Sequence, residues 1–218
     1  MTAAAIVPIK RFGMAKSRLA GTSAAGLRPA LAEAMLTDVL DELTRCAELD
    51  RIVVVSGEPA VARIASDFGA DHIDDPADAG HSEAALAGVA HAEALGATVV
   101  ALLPGDCPLI RATEIGAALA AHGEGVAVIP DRHGTGTNGL IISPPGAISP
   151  AFGPGSRVRH LDLAAEAGVA AEVAEIPSLA LDLDTGDDLR ELAHALAADP
   201  ARAPATAAAL ALLEEPLG

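Results

Sequence analysis

The sequence contains no tryptophan, no tyrosine and only three phenylalanines in 218 residues. Binding of single-stranded nucleic acid by base stacking needs aromatic platforms, so that mode is excluded. The core has to be built from Val, Ile, Leu and Ala, which suits helices packed on a buried parallel sheet. Only two cysteines occur, Cys46 and Cys107, so a disulfide framework is excluded and a reducing cytoplasm is the expected compartment. Long apolar runs are missing too, each being broken by Gly, Pro or charge, and no membrane partner is expected. Lys10 and Arg11 follow the first apolar run, the wrong order for a secretory leader.

Basic residues are scarce: 14 Lys and Arg against 30 Asp and Glu give a net charge of −16. Duplex nucleic acid is therefore no partner. The few cations are clustered. Residues 1–32 hold Lys10, Arg11, Lys16, Arg18 and Arg28 with no acid, so the rest of the chain carries −21. Both lysines of the chain lie in that stretch. Screening acts beyond ~8 Å at physiological salt, so a local basic strip can hold a polyphosphate on an acidic protein.

The length suits one α/β domain over 1–218 with a sizeable core. Apolar spacing predicts strands at 3–8, 51–55, 70–73, 98–103, 126–129, 140–142, 169–176 and 179–183. Helices are expected at 28–45, 58–68, 82–95, 113–121, 158–167 and 187–198, with a further helix in the tail 199–218. Strands alternating with helices over the first 130 residues signal an open, mostly parallel sheet with right-handed crossovers. Ligands on such sheets bind beyond the carboxyl ends of the strands. That singles out loops at 9–18, 104–108, 131–139 and 182–186.

Five motifs carry chemistry. Pro8-Ile9-Lys10-Arg11-Phe12-Gly13-Met14-Ala15-Lys16-Ser17-Arg18 is a basic loop after a strand, able to wrap phosphates, with Gly13 admitting close backbone approach. It is no Walker A loop, because Ala15 stands where Gly must precede the lysine. Leu103-Pro104-Gly105-Asp106-Cys107-Pro108 sets a carboxylate at a strand mouth between two prolines, a fit ligand for a hard cation. Cys107 reads as a packing residue. In Leu181-Asp182-Leu183-Asp184-Thr185 the two acids are two apart on an expected strand and share one face. Their mutual repulsion favours a cation between them, the plainer alternative being strand-end polarity with Asp184 or Thr185 capping the next helix. Gly134-Thr135-Gly136-Thr137-Asn138-Gly139 matches GxGxxG formally, but it precedes a strand, so it is a polar loop and not a dinucleotide fingerprint. Phe152-Gly153-Pro154-Gly155-Ser156 enters a helix whose free N–H groups suit an anion, or Ser156 is only its cap. The seven histidines lack zinc spacing, and His133 and His160 read as surface residues or supports of ligand-contacting neighbours.

Taken together and in this order, these motifs resemble the 2-phospho-L-lactate/phosphoenolpyruvate guanylyltransferases of coenzyme F-420 biosynthesis over residues 4–196. The resemblance implies a Rossmann-like nucleotide-diphospho-sugar-transferase fold. It implies transfer of GMP from GTP to phosphoenolpyruvate, or to 2-phospho-L-lactate or 3-phosphoglycerate, with release of pyrophosphate. It implies Mg2+ on Asp106, Asp182 and Asp184, with Asp106, Lys10 and Lys16 as the catalytic groups. Lys10, Lys16, Arg18, Gly80, Ser82 and Gly105 fall to the nucleotide, and Gly153 and Ser156 to the acid. Asn138 stands where some members have Thr, with Thr137 beside it as the substitute contact. A homodimer is compatible with this reading. Two other readings stay open: a nucleotidyltransferase of this fold acting on a sugar phosphate or molybdopterin, and a nucleotide-binding regulator without catalysis.

Overall fold

The computed structural model describes residues 1–12, 28–75, 77–78 and 80–212. Strands β1 (Ala3–Pro8), β2 (Arg51–Ser56), β3 (Asp71–Asp74), β4 (Val99–Leu102), β5 (Gly125–Pro130), β6 (Thr137–Ser143) and β7 (Ala171–Val173) form one seven-stranded sheet in the order β3-β2-β1-β4-β6-β5-β7. Helices α1 (Arg28–Thr44), α2 (Pro59–Asp67), α3 (His81–Ala94), α4 (Ala112–Ala121), α5 (Ser156–Glu166), α6 (Gly186–Ala198) and α7 (Pro204–Ala211) pack around it. The α/β class with a mostly parallel sheet is as the sequence indicated. Only β6 runs against its neighbours, β4 and β5.

The strands read as unbroken apolar runs because both faces of the sheet are covered. Every residue of β1 is buried. Ala3, Ala5 and Val7 join a core with Met35, Leu36 and Leu40 of α1, Ile64 of α2, Ile115 and Leu119 of α4, and Leu189 and Leu192 of α6. Ala4 and Ile6 face the other way, onto Ala85 and Val89 of α3 and Ala164 of α5. Helix α3 comes very close: a Cβ on Gly88 would lie 2.3 Å from Ile6 Cγ2, so only glycine fits there. Strand β1 pairs with β2 on one side and β4 on the other, the crossover helices α1 and α3 lying on opposite faces. That reversal opens a crevice at the carboxyl ends of β1 and β4.

Two expectations fail in the second half. Residues 179–183 are not a strand. A 3-10 turn at Pro177–Leu179 leads into an extended, unpaired stretch that ends where Thr185 caps α6. The expected strand at 169–176 shrinks to β7, three exposed residues at the sheet edge. In both places the apolar alternation serves packing onto neighbouring elements, with Leu179 and Leu183 buried in the α6-side core.

Strand β6 carries a bulge. Ile129 pairs with Gly139 but Pro130 pairs with Thr137, so Asn138 is an extra residue. Beyond β6, the tail folds as a 3-10 turn at Pro200–Arg202 followed by α7. The buried carboxylate of Asp38 on α1 accepts hydrogen bonds from Ala205 N at 3.0 Å and Thr206 N at 2.7 Å, capping α7 from a neighbouring helix. No helix among the described residues is long and apolar enough to cross a membrane.

Candidate active site

A pocket of about 690 Å³ opens over the crevice between β1 and β4. All four loops singled out above reach it. Pro8 and Lys10 come from the end of β1, Pro104 and Asp106 from the end of β4. Asp131, Thr135 and Gly136 come from the β5–β6 connection, and Asp182 and Asp184 from the stretch before α6. Antiparallel β6 contributes its first residues, Thr137 and Asn138, because it starts where its neighbours β4 and β5 finish. Ser82 and Glu83 of α3 and the loop before α5 close the remaining side.

The three candidate metal-binding aspartates converge without the expected strand, through hydrogen bonds between distant segments. Leu183 N donates to the Asp106 carbonyl at 3.3 Å, tying the two acidic loops together. Asn138 Nδ2 donates to Leu179 O at 2.8 Å and to Asp182 Oδ1 at 3.2 Å. Behind them, buried Asp188 accepts from Asp184 N, Thr185 N and the Thr185 hydroxyl, completing a capping box on α6. Arg132 pairs with Asp188 at 2.6 Å and with Glu191 at 2.5 Å, latching the β5–β6 connection to the same helix. Thr185 is thus the cap, and the Asp184 side chain is left to line the pocket.

Electrostatics in the pocket is strained in one direction. Burial, and then repulsion from Asp106, pushes the Asp182 carboxyl above its ordinary range, while the Asn138 donor pulls the other way. Burial lowers the pKa of His81, with the Lys10 ammonium adding to that and Asp106 opposing it. Five carboxylates line the pocket, those of Glu83, Asp106, Asp131, Asp182 and Asp184. A divalent cation would relieve this repulsion, and an all-oxygen donor set suits magnesium, calcium or manganese. No three acidic, histidine or cysteine side chains among the described residues are grouped so that they could hold a metal ion together. Magnesium does not need such a group, because it takes one or two carboxylates and fills its shell with water and substrate phosphate.

The opposite wall is built on His160, which the sequence suggested as a surface or supporting residue. It is fully buried. Its Nε2 accepts from Ala151 N at 2.9 Å and its Nδ1 lies 3.1 Å from Thr137 Oγ1. Phe152 stands edge-on between His160 and His81, with ring centroids 5.2 Å and 4.7 Å away. Ser82 Oγ accepts from Phe152 N at 3.0 Å, joining α3 to this loop. The bulge explains the aim of the two polar residues of β6. Strict alternation would put Thr137 on the side of Ile141, facing α6, yet it reaches His160 on α5, while Asn138 reaches Asp182.

Of the residues singled out from sequence, Lys10, Ser82, Asp106, Thr137, Asn138, Gly153, Ser156, Asp182 and Asp184 all line this pocket. Gly80 is the N-cap of α3 and Gly105 lies under Ile9, where a Cβ would come 2.0 Å from its Cδ1; neither lines the wall. Gly105 therefore serves close packing. Gly13, Lys16 and Arg18 lie outside the described residues. Cys107 is buried with its Sγ 3.7 Å from Leu179 O, consistent with packing. Sequence reasoning did not single out Glu83, Asp131 or His81 as lining residues, yet all three line the pocket. Glu83 follows the nominated Ser82 and Asp131 opens a nominated loop, which was the available signal.

The chain matches the family described as guanylyl transferase CofC like over residues 3–197. A phosphoenolpyruvate guanylyltransferase from Conexibacter woesei is 49% identical over 200 residues, covering 90% of each chain. Among solved structures, a nucleotidyl transferase from Methanothermobacter thermautotrophicus superposes with a TM-score of 0.67 at 18% identity, covering 91% of this chain and 99% of that one. The manganese complex of Rv0371c from Mycobacterium tuberculosis superposes with a TM-score of 0.56 at 21% identity, covering 88% and 97%. These two likenesses concern the fold alone. Matched almost throughout its described length, and sharing nearly half its residues with a named relative, this chain belongs to the CofC-like guanylyl transferase family.

Proposed function

We propose that this protein is a phosphoenolpyruvate guanylyltransferase, transferring GMP from GTP to phosphoenolpyruvate in coenzyme F-420 biosynthesis. The products are enolpyruvoyl-2-diphospho-5'-guanosine and pyrophosphate. Family membership and the relative's name support the reaction. The observation that carries it to particular residues is the convergence of Lys10, Asp106, Asp182 and Asp184 with Thr137, Gly153 and Ser156 around one pocket. On this reading the chain works in the cytoplasm as one nucleotidyltransferase domain over 1–218.

Chemically, an ionised oxygen of the acid's phosphate attacks the α-phosphorus of GTP. The new P–O bond forms as the bond from that phosphorus to the bridging oxygen of the β-phosphate breaks, and pyrophosphate leaves with the electron pair. The nucleophile is already an anion, so no side chain has to remove a proton. What the protein must supply is positioning and charge compensation. Among Asp106, Asp182 and Asp184, one or two carboxylates would hold Mg2+, and the ion when bound would neutralise phosphate charge. Lys10 would hold the nucleotide phosphates, with Lys16 and Arg18 of the same basic loop. Ser82 would approach the nucleotide from α3. Thr137, Gly153 and Ser156 would receive the acid, with Asn138 steadying Asp182 in place of contacting it.

Pyrophosphate release, measured with each nucleoside triphosphate against each acid in the presence of Mg2+, tests the proposal. GTP with phosphoenolpyruvate should turn over fastest. Preference for 2-phospho-L-lactate or 3-phosphoglycerate would reassign the acceptor, and no release from any pair would refute the enzyme.

A further inference from the structure

His160 has one hydrogen-bond arrangement open to it. A backbone N–H only donates, so the bond from Ala151 N requires a lone pair on Nε2. The proton of the neutral ring then sits on Nδ1 and points at Thr137 Oγ1, 3.1 Å away. Burial, aided by the adjacent Arg159 guanidinium, keeps the ring neutral, with its pKa lowered to about 4. The Thr137 oxygen therefore accepts a hydrogen bond from His160 Nδ1–H, and its own O–H must donate elsewhere. Thr137 lines the same pocket as Gly153 and Ser156. The edge-on Phe152 ring fixes the plane of the imidazole, and Ala151 begins the loop that carries Gly153 and Ser156.

We infer that His160 is a positioning residue that makes the Thr137 hydroxyl an obligate donor toward an anionic oxygen of the phosphorylated acid, while it pins the loop forming the other side of that subsite. The inference rests on the acceptor pocket proposed above. A hydroxyl held this way rewards a carboxylate or phosphate oxygen and gives nothing to a group that can only donate. With its acceptor role reversed, the same hydroxyl would spend its proton on residue 160 and turn a lone pair to the substrate anion.

Two amide variants separate the two bonds of the ring. The amide of Asn ends near the position of Nδ1, so His160→Asn keeps a donor for Thr137 and loses the acceptor for Ala151 N. The amide of Gln reaches about as far as Nε2, so His160→Gln keeps that acceptor and loses the donor. KM for phosphoenolpyruvate, KM for GTP, kcat and Tm are read for both, with Thr137→Val and the His160→Gln/Thr137→Val double variant. His160→Gln is expected to raise KM for the acid ~10-fold, leaving KM for GTP within ~2-fold. His160→Asn should stay nearer the wild type in that KM even if its Tm falls as far. The double variant should be no worse than Thr137→Val alone, since both changes remove one interaction. Equal rises in both KM values, a His160→Gln protein indistinguishable from wild type, or additive losses would each overturn the role of His160. If the wild type itself neither binds nor consumes phosphoenolpyruvate, the acceptor reading fails first and takes this inference with it.

Discussion

Asp106 acts through two different atoms groups. Its backbone carbonyl receives the Leu183 N–H and joins the acidic loops, while its carboxylate lines the pocket. Asp106→Asn keeps the first and removes the negative charge of the second. We expect pyrophosphate release to fall by at least ~100-fold with Tm unchanged, the size of effect seen when a single transition-state electrostatic contact is lost. His160 gives a prediction in pH. Its folded pKa of about 4 lies below the ordinary 6.5, so the folded state binds that proton less readily than the unfolded chain. The stability it contributes is complete above pH ~6.5 and is lost as pH falls toward 4, by up to ~3 kcal/mol. Urea melts across that range should show this loss in the wild type and not in His160→Gln. Residue identity was the most legible level of the site: Lys10 and Asp106 were visible as chemical types beyond strands, and Asp182 and Asp184 as a pair ahead of a helix. His160 was not, because its burial depends on where α5 lands and on a 23-residue separation from Thr137.

At the scale of elements, the stretch between the Pro177–Leu179 turn and α6 shows why local pattern can mislead. Leu179, Leu181 and Leu183 alternate with Ala180, Asp182 and Asp184 as a strand would, but the bonds of this segment run to Asp106 O, Asn138 and Asp188, not to a sheet neighbour. Such pairings join residues tens of positions apart and leave no mark in a local window. The central strands were legible for the opposite reason, since burial on both faces writes an unbroken apolar run into the sequence itself. Asp188 is the element-scale test. Asp188→Ala removes the acceptor for two backbone N–H groups and the partner of Arg132, whose side chain is 26% exposed. We expect a loss of ~1–3 kcal/mol in urea melts, from the lost cap and the weakened ion pair. Because Asp184 then lacks its backbone anchor, the magnesium concentration for half-maximal activity should rise as well.

For the molecule as a whole, the two faces of the sheet divide the work. Helices α3 and α5 reach the pocket through Ser82, Glu83 and Ser156, whereas α7 closes against α1 and contributes none of the lining residues. Stability and chemistry should therefore separate at the tail. Asp38→Ala removes a buried carboxylate that accepts two N–H bonds and should cost ~1–3 kcal/mol by chemical denaturation. Its KM values and kcat should match the wild type at 25 °C. The alternation of strands and helices announced the parallel part of this architecture, and the mixed second half was hidden because β6 joins by reversing direction after a short connection. The doubled residue in β6 has a consequence for how such chains can change. Losing Asn138 would make the ladder more regular, so the sheet itself would still form. It would, however, leave Thr137 directly before Gly139, on the Leu140 side that faces α5 and His160, and take away the amide that holds Asp182 and Leu179 O. A sheet can be indifferent to a deletion that its pocket cannot survive.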